Sequence, residues 1–492
     1  MDTRLALLTF VLASCSGGET TKPEVPGTGD PSPGKVVGAE KPAVATATAC
    51  LADNSWITSP NPPSEIGNGV PIGDETNCQF YQFSWQWFLQ EVSPSTSSPG
   101  DRNFETLRVF QPNVPKQCSL PAARGKAAAA NALLVRVAQV ADNSLDPVST
   151  AEFEQFQADH FSLYDQNKNV VLYNMWYSDA MCSPTPAGFP AGSMEIKTAW
   201  RQLTASDDAA TYYTMQVTDT HVSPTPITLG LVGMHLVNST ANHPEFVWAS
   251  FEHSTNAPNC DGTPTTPTAG WSFANADAAK CLATGGIAGC TQYAFNAGGP
   301  QDGDQNPYTG TPTNVCQLYP HGNDTGDTAA NGNNNKTNLS NITELNAQMG
   351  NFLRALPATD PMAVWTNYTL VGGLWTNGGV PVCTGNPSVC TNPVPSSKAP
   401  ASTTNPERGS LQLTNVTMET FEQGPTSSVP NCFSCHQYAV TDPAAQTNAL
   451  NVSHLACALL GPDSGASVDC PKTQVPTAAH APTTLQNAAP VK

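Results

Sequence analysis

The chain has 492 residues, of which 39% are hydrophobic and only 12% charged, and a formal net charge of −19. That surplus of carboxylates argues against nucleic acid as a partner, because phosphates require Lys and Arg, and the length allows one large domain or two ordinary ones. The 37 glycines and 44 prolines, together with abundant Thr, Asn and Ser, favour strands joined by turn-rich loops over a helical bundle.

Residues 5–13 (LALLTFVLA) form an apolar run after Arg4, the length of a signal-peptide core and too short to span a bilayer. It ends in Leu12-Ala13-Ser14-Cys15, which is similar to the lipobox of bacterial lipoproteins, where the Cys is acylated and becomes the first mature residue. Cys15 is therefore the expected lipidation site, residues 1–15 a lipoprotein signal, and the cell envelope the expected location. Ser16 points to the outer membrane, facing either the periplasm or the cell surface. Residues 16–48 lack apolar periodicity and read as a flexible tether.

Residues 49–420 read as a β-rich core domain with a few helices. The stretch NCQFYQFSWQWFLQEV from Asn77 places Phe80, Phe83 and Trp87 at helical spacing; such a helix can wall a porphyrin or simply fill a core. A second helix is expected over residues 126–141, and a Ser149–Glu152 capping box starts a short third one. Strands are expected over residues 170–176, 194–203 and 211–218. Residues 227–237 and 246–253 read as a buried hairpin. In the latter, Phe246, Trp248 and Ser250 face one way and Val247, Ala249, Phe251 and His253 the other. His235, His243 and His253 within this hairpin are each an ordinary structural histidine, a proton relay or an axial ligand.

Residues 256–338 read as a long loop carrying four cysteines. Its Asp302, Asp304, Asp324 and Asp327 match no calcium loop by spacing. A helix follows, with Ile342, Leu345, Met349, Phe352 and Leu356 in one stripe, Asn341 as cap, Glu344 at its third position and Pro357 as stop. Strands are expected over residues 366–375 and 410–417.

Near the end stands Cys432-Phe433-Ser434-Cys435-His436, a C-x-x-C-H string. Two thiols at this spacing can form thioethers to the two vinyl groups of a porphyrin, and the adjoining His436 then meets the iron as proximal ligand. A zinc site would need a second close ligand pair, which the sequence lacks. The expected cofactor is one covalent haem c, held by Cys432, Cys435 and His436. The haem-attachment segment is expected at residues 421–470, packed on the core, with a disordered tail over 471–492. Of the fifteen cysteines, removing Cys15 for lipid and Cys432 and Cys435 for haem leaves twelve, an even number for structural disulfides. Cys281–Cys290, Cys383–Cys390 and Cys457–Cys470 would close short loops.

The blocks LTNVTMETFEQ (residues 413–423) and NCFSCHQYA (431–439) resemble a group of exported bacterial c-type cytochrome family proteins with a single C-terminal haem motif. Residues 230–258 and MEIKTAW at 194–200 resemble further blocks of that group. The resemblance implies the haem and its three attachment residues, and no particular reaction. Ordinary small cytochromes c carry a Met ligand downstream of the motif, but here the last Met is Met418. Candidates for the sixth iron ligand are therefore His454 downstream and His253, His235 or Met418 upstream; Met234, Met349 and Met362 are further upstream methionines.

The expected fold class is α+β, predominantly β, with long disulfide-stapled loops and the haem segment near the C-terminus. The expected function is electron transfer at the cell envelope by an exported monohaem lipoprotein, its partner a redox protein or a small-molecule donor or acceptor. Alternatives are a haem-dependent oxidase or peroxidase, and a surface binding protein with a structural or sensory haem.

Overall fold

The centre of the fold is an antiparallel sheet in which β5 (Ile227–Asn238) is the longest strand, twelve residues of ITLGLVGMHLVN. One edge of β5 pairs with β3 (Met194–Gln202). Its other edge is shared: β4 (Thr214–Val217) takes the first part and β6 (Val247–His253) takes Gly233–Asn238. Outward from β3 lie β2 (Leu172–Tyr177) and β1 (Arg108–Val109). Outward from β6 lie β8 (Tyr368–Thr376), β11 (Glu407–Leu411) and β7 (Asn323–Thr325). A separate two-stranded ribbon joins β9 (Val382–Cys383) to β10 (Cys390–Thr391). The computed structural model describes residues 49–72, 74–111, 114, 116–133, 163–185, 188–218, 225–263, 270–297, 312–325, 337–376, 382–383, 390–391, 407–421, 423, 433, 449–453 and 455–461. All of them belong to one compact unit.

The alternation expected in β6 holds and defines two sheet faces. Val247, Ala249 and Phe251 join the largest apolar cluster, with Leu229, Leu231, Met234 and Leu236 of β5 and Met194, Ile196 and Trp200 of β3. Two helices cover this face. Helix α2 (Asn77–Val92) starts at a reciprocal capping box between Thr76 and Gln79. Its rings are core: Phe80 stacks on Trp375 at 3.9 Å and Phe88 on Phe251 at 4.0 Å between centroids. Helix α5 (Asn338–Arg354) buries Ile342, Leu345 and Met349 of the stripe read from the sequence, and Leu353 in addition, while Phe352 and Leu356 of that stripe pack against the core only partly buried. It begins one turn earlier than expected. Thr337 and Ser340 form the capping box, while Glu344 accepts the Cys50 backbone N–H at 2.9 Å. The shorter helices are α1 (Ser55–Thr58), α3 (Gly125–Asn131), α4 (Ala276–Gly285) and α6 (Ala456–Leu460).

Four expectations are corrected. The last sheet strand is Glu407–Leu411 rather than residues 410–417, because Gln412 takes a left-handed backbone (φ 58°) and Asn415 then bonds its own neighbours in a turn. The loop expected over 256–338 contains α4, capped by Asn275 accepting from Ala278 N–H. Strand β4 is shorter than expected, since Ala209–Thr211 forms a 3-10 turn capped by Asp208. The helix expected over 126–141 ends at Asn131, with Ala132 and Leu133 already outside it; residues 134–141 and the Ser149–Glu152 capping box lie outside the described residues.

Four disulfides close the described chain: Cys50–Cys78, Cys118–Cys182, Cys260–Cys316 and Cys281–Cys290. The last was expected. Backbone pairing sets Cys383 directly opposite Cys390, as the expected Cys383–Cys390 link requires. Cys457 lies in α6, and Cys470 lies outside the described residues.

Candidate functional site

Of the Cys432–His436 string, Cys432, Cys435 and His436 lie outside the described residues, as do Cys15 and His454. Phe433 is described, and it is fully buried. Its ring meets Trp248 of β6 edge-on, 5.8 Å between centroids at 72°. Trp248 stands on the sheet face opposite α2 and α5, in a cluster with Phe110, Met175, Tyr177, Phe246 and Leu374. Leu450, Val452, Leu455, Ala456 and Leu459 close the same cluster, and the Cys118–Cys182 disulfide packs against it. The chain before the motif lies on this face as well. Asn415 donates to Ser250 Oγ at 2.9 Å, the Val416 N–H to Glu252 at 2.7 Å, and the Tyr173 hydroxyl to the Thr417 carbonyl at 2.6 Å. Both flanks of the motif are thus sewn to one side of the sheet.

That side carries a group of ionisable residues that sequence reasoning missed. Register sets Lys197 of β3 opposite His235 of β5, with Glu195 two residues along β3 and Glu252 on β6. Glu419, from the covering turn, places Oε2 3.3 Å from His235 Nε2 and accepts the Asn415 N–H at 2.9 Å. Glu195 accepts from the Ser453 hydroxyl at 2.7 Å, joining the sheet to the segment after the motif. Burial dominates their acidities. It pushes Glu195 up to about 7 and Glu252 up to about 8, against the pull of the Ser453 hydroxyl and the Val416 N–H respectively. Lys197 is pushed down to about 8 by the same cause. Burial also works on Glu419, but the His235 ring and Lys197 outweigh it and hold its carboxyl below the usual range. Groups that change charge near neutrality, side by side in a water-poor layer, can take up or release protons in step with a nearby charge change. The signal was legible as Glu and Lys inside otherwise apolar strands, MEIKTAW and FVWASFEH.

The three histidines of the hairpin separate in space. His235 sits on the motif's face, half-buried beside Glu419. His243, in the β5–β6 connection, is clamped between Glu245 at 3.1 Å and Glu75 at 3.4 Å. His253 at the end of β6 has Nδ1 2.8 Å from Thr255 Oγ1 and Nε2 3.0 Å from the Thr211 carbonyl, and it stacks on Tyr212 at 4.0 Å. Both of its ring nitrogens are engaged, so binding iron would require breaking one of those bonds. Met418 packs among Tyr173, Val232, Phe273 and Val416, in a different apolar cluster from the one that receives Phe433. Met234 and Met349 pack in the helix-covered core. Among the described residues, no group of three or more His, Cys, Asp and Glu is arranged to hold a metal ion. No helix there is long and apolar enough to cross a membrane.

Compared with protein-family models, curated proteins and solved structures, the chain matches none of them.

Proposed function

We propose that this chain is an exported, lipid-anchored c-type cytochrome that carries one covalent haem and transfers electrons at the cell envelope. The observation that carries the reading is Cys432-x-x-Cys435-His436 in a chain that opens with an export run and a lipobox ending at Cys15. The described surroundings fit such a group in character. Phe433, inside the motif, is buried among aromatic and aliphatic side chains, the low-dielectric setting that a porphyrin edge needs. Cys432 and Cys435 would hold the porphyrin and His436 the iron, and the bound haem would supply one-electron chemistry between Fe(III) and Fe(II). The sixth ligand is sought among His454, His235, His253 and Met418, and His235 is the one described histidine of these on the motif's side of the sheet.

The deciding experiment is an alkaline pyridine spectrum of protein expressed in a host that matures c-type cytochromes. A c-type band that disappears in Cys432→Ser/Cys435→Ser is expected, and absence of that band from the wild type would sink the reading. A second reading, a haem-dependent oxidase or peroxidase, is favoured by the ionisable group of Glu195, Lys197, His235, Glu252 and Glu419 on the same face, which suits proton-linked chemistry. Carbon monoxide separates the two. Fast, complete binding to the ferrous protein supports an open iron position and the enzyme; no binding supports electron transfer.

A further inference from the structure

Beyond the Cys432–His436 string, residues 449–453 and 455–461 cross the sheet face of Trp248 as a strap. Leu450, Val452, Leu455, Ala456 and Leu459 are its buried side, packed in the cluster of Phe110, Met175, Tyr177 and Trp248. Helix α6 rests on the two turns that the Cys118–Cys182 disulfide joins. A polar tie crosses this apolar contact: the Ser453 hydroxyl donates to Glu195 of β3 at 2.7 Å. The same hydroxyl accepts the Leu455 N–H at 3.2 Å, and the Ser453 carbonyl accepts the Ala456 N–H at 3.2 Å. The residue that meets Glu195 therefore also starts α6.

Charge sets the strength of that tie. An ionised carboxylate is acceptor-only and takes several donors, whereas Glu195 is 8% exposed and receives the single Ser453 hydroxyl among the described residues. Its surroundings compensate weakly. Tyr177 of β2 and Val237 of β5 flank it in register, and the Tyr177 hydroxyl engages Arg108. Lys197, two residues along β3, is shared with Glu419, and His235 of β5 is paired with Glu419. The strap's sequence brings no Asp, Glu, Lys or Arg; its titratable residues are His454 and Cys457. Burial therefore outweighs the Ser453 hydroxyl and Lys197, and it pushes Glu195 up to about 7 from 4.5. Lifting the strap returns the carboxyl to water and to its ordinary range. A raised pKa in the closed form means that closure is tightest below about 4.5 and weakens as pH rises through about 7.

We infer that Glu195 and Ser453 form a proton-operated catch, which holds the strap over the aromatic cluster while Glu195 is protonated and lets it open more often once Glu195 is ionised. The five apolar side chains keep the closed form dominant at every pH, so acidity sets how often the cluster meets solvent. The test is amide hydrogen exchange on the full chain at pH 5, 6.5 and 8, read as protection factors for residues 455–461. From pH 5 to pH 8 the wild type's protection is expected to fall on the order of fiftyfold. In Glu195→Gln, which keeps the shape and an acceptor oxygen, it should stay flat. Ser453→Ala, a change on the strap that leaves the sheet intact, should lower protection at pH 5 about tenfold. Flat protection in the wild type overturns the inference whether or not either variant folds. So does an undiminished pH response in Glu195→Gln, which would assign the response to His454, His235 or their neighbours, and so does unchanged protection in Ser453→Ala at pH 5. The readout is backbone protection, so the outcome is independent of whether the protein carries haem.

Discussion

His243 shows how one residue can bind distant parts of this chain through charge. Its ring is buried with a carboxylate on each side, Glu245 two residues on and Glu75 168 residues away. Burial opposes the charged form, but the two carboxylates prevail and raise its pKa to about 9 from 6.5. A raised folded pKa means the stabilisation is complete below about 6.5 and is lost as pH rises through about 9. Urea unfolding of the wild type should therefore show a loss on the order of 3 kcal/mol across that window. In His243→Gln this part of the pH dependence should vanish, and the variant should be weaker at pH 6. Glu91 of α2 is the opposite kind of buried charge. Burial alone pushes its carboxyl up to about 8. Its contribution is present below about 4.5 and lost as pH rises through about 8, because the unfolded chain ionises first. Glu91→Gln should accordingly be more stable than the wild type at pH 8, by on the order of 4 kcal/mol, and close to equal at pH 4.5.

At the scale of elements, the covering segments are held by a few close contacts on the sheet. Phe433 is the one described anchor inside the motif, and its partner Trp248 belongs to a central strand. Truncating it leaves a cavity in a packed cluster, so Phe433→Ala should cost about 3–5 kcal/mol of local stability. Limited proteolysis should then cut between residues 421 and 449 before the core unfolds, and a cut rate equal to the wild type's would show that Phe433 anchors nothing. Gly233 serves the turn before the motif. A Cβ there would collide with the Thr417 hydroxyl and lie 3.0 Å from Asn415 Oδ1. Gly233→Ala should lift residues 413–420 from β5, exposing Glu252 and shifting its titration, monitored by carboxyl NMR, from about 8 toward the ordinary range.

For the whole molecule, the four disulfides divide the stapling between the sheet's two sides. Cys50–Cys78 secures α2 over the helix-covered core, and Cys118–Cys182 buttresses the cluster that receives Phe433. By the loop-entropy argument each long-loop bridge contributes about 2–4 kcal/mol. Cys118→Ala/Cys182→Ala should thus lower the unfolding free energy by that amount, and the proteolytic release of the C-terminal segment should accelerate more than in Cys50→Ala/Cys78→Ala. Equal release from both variants would mean the second bridge has no special tie to that segment.

Local pattern determined much of this protein directly from its sequence. Strands of alternating character, the aromatic stripe of α2 and the apolar stripe of α5 are set by neighbours within a few residues, and they stand where periodicity puts them. The haem chemistry proposed for Cys432–His436 and the export role proposed for residues 5–13 rest on residues that are likewise contiguous in the chain. Short-range competition hid other features: the reciprocal Thr337–Ser340 cap outcompeted Asn341, and a left-handed Gln412 ended β11 early. Tertiary structure alone decided which face each residue serves. Lys197 meets His235 because β3 and β5 pair in one register, and Glu419 joins them because a turn folds across that face. Such an assembly depends on cross-strand pairing and on contacts spanning hundreds of residues, and no window along the chain contains both sides of them.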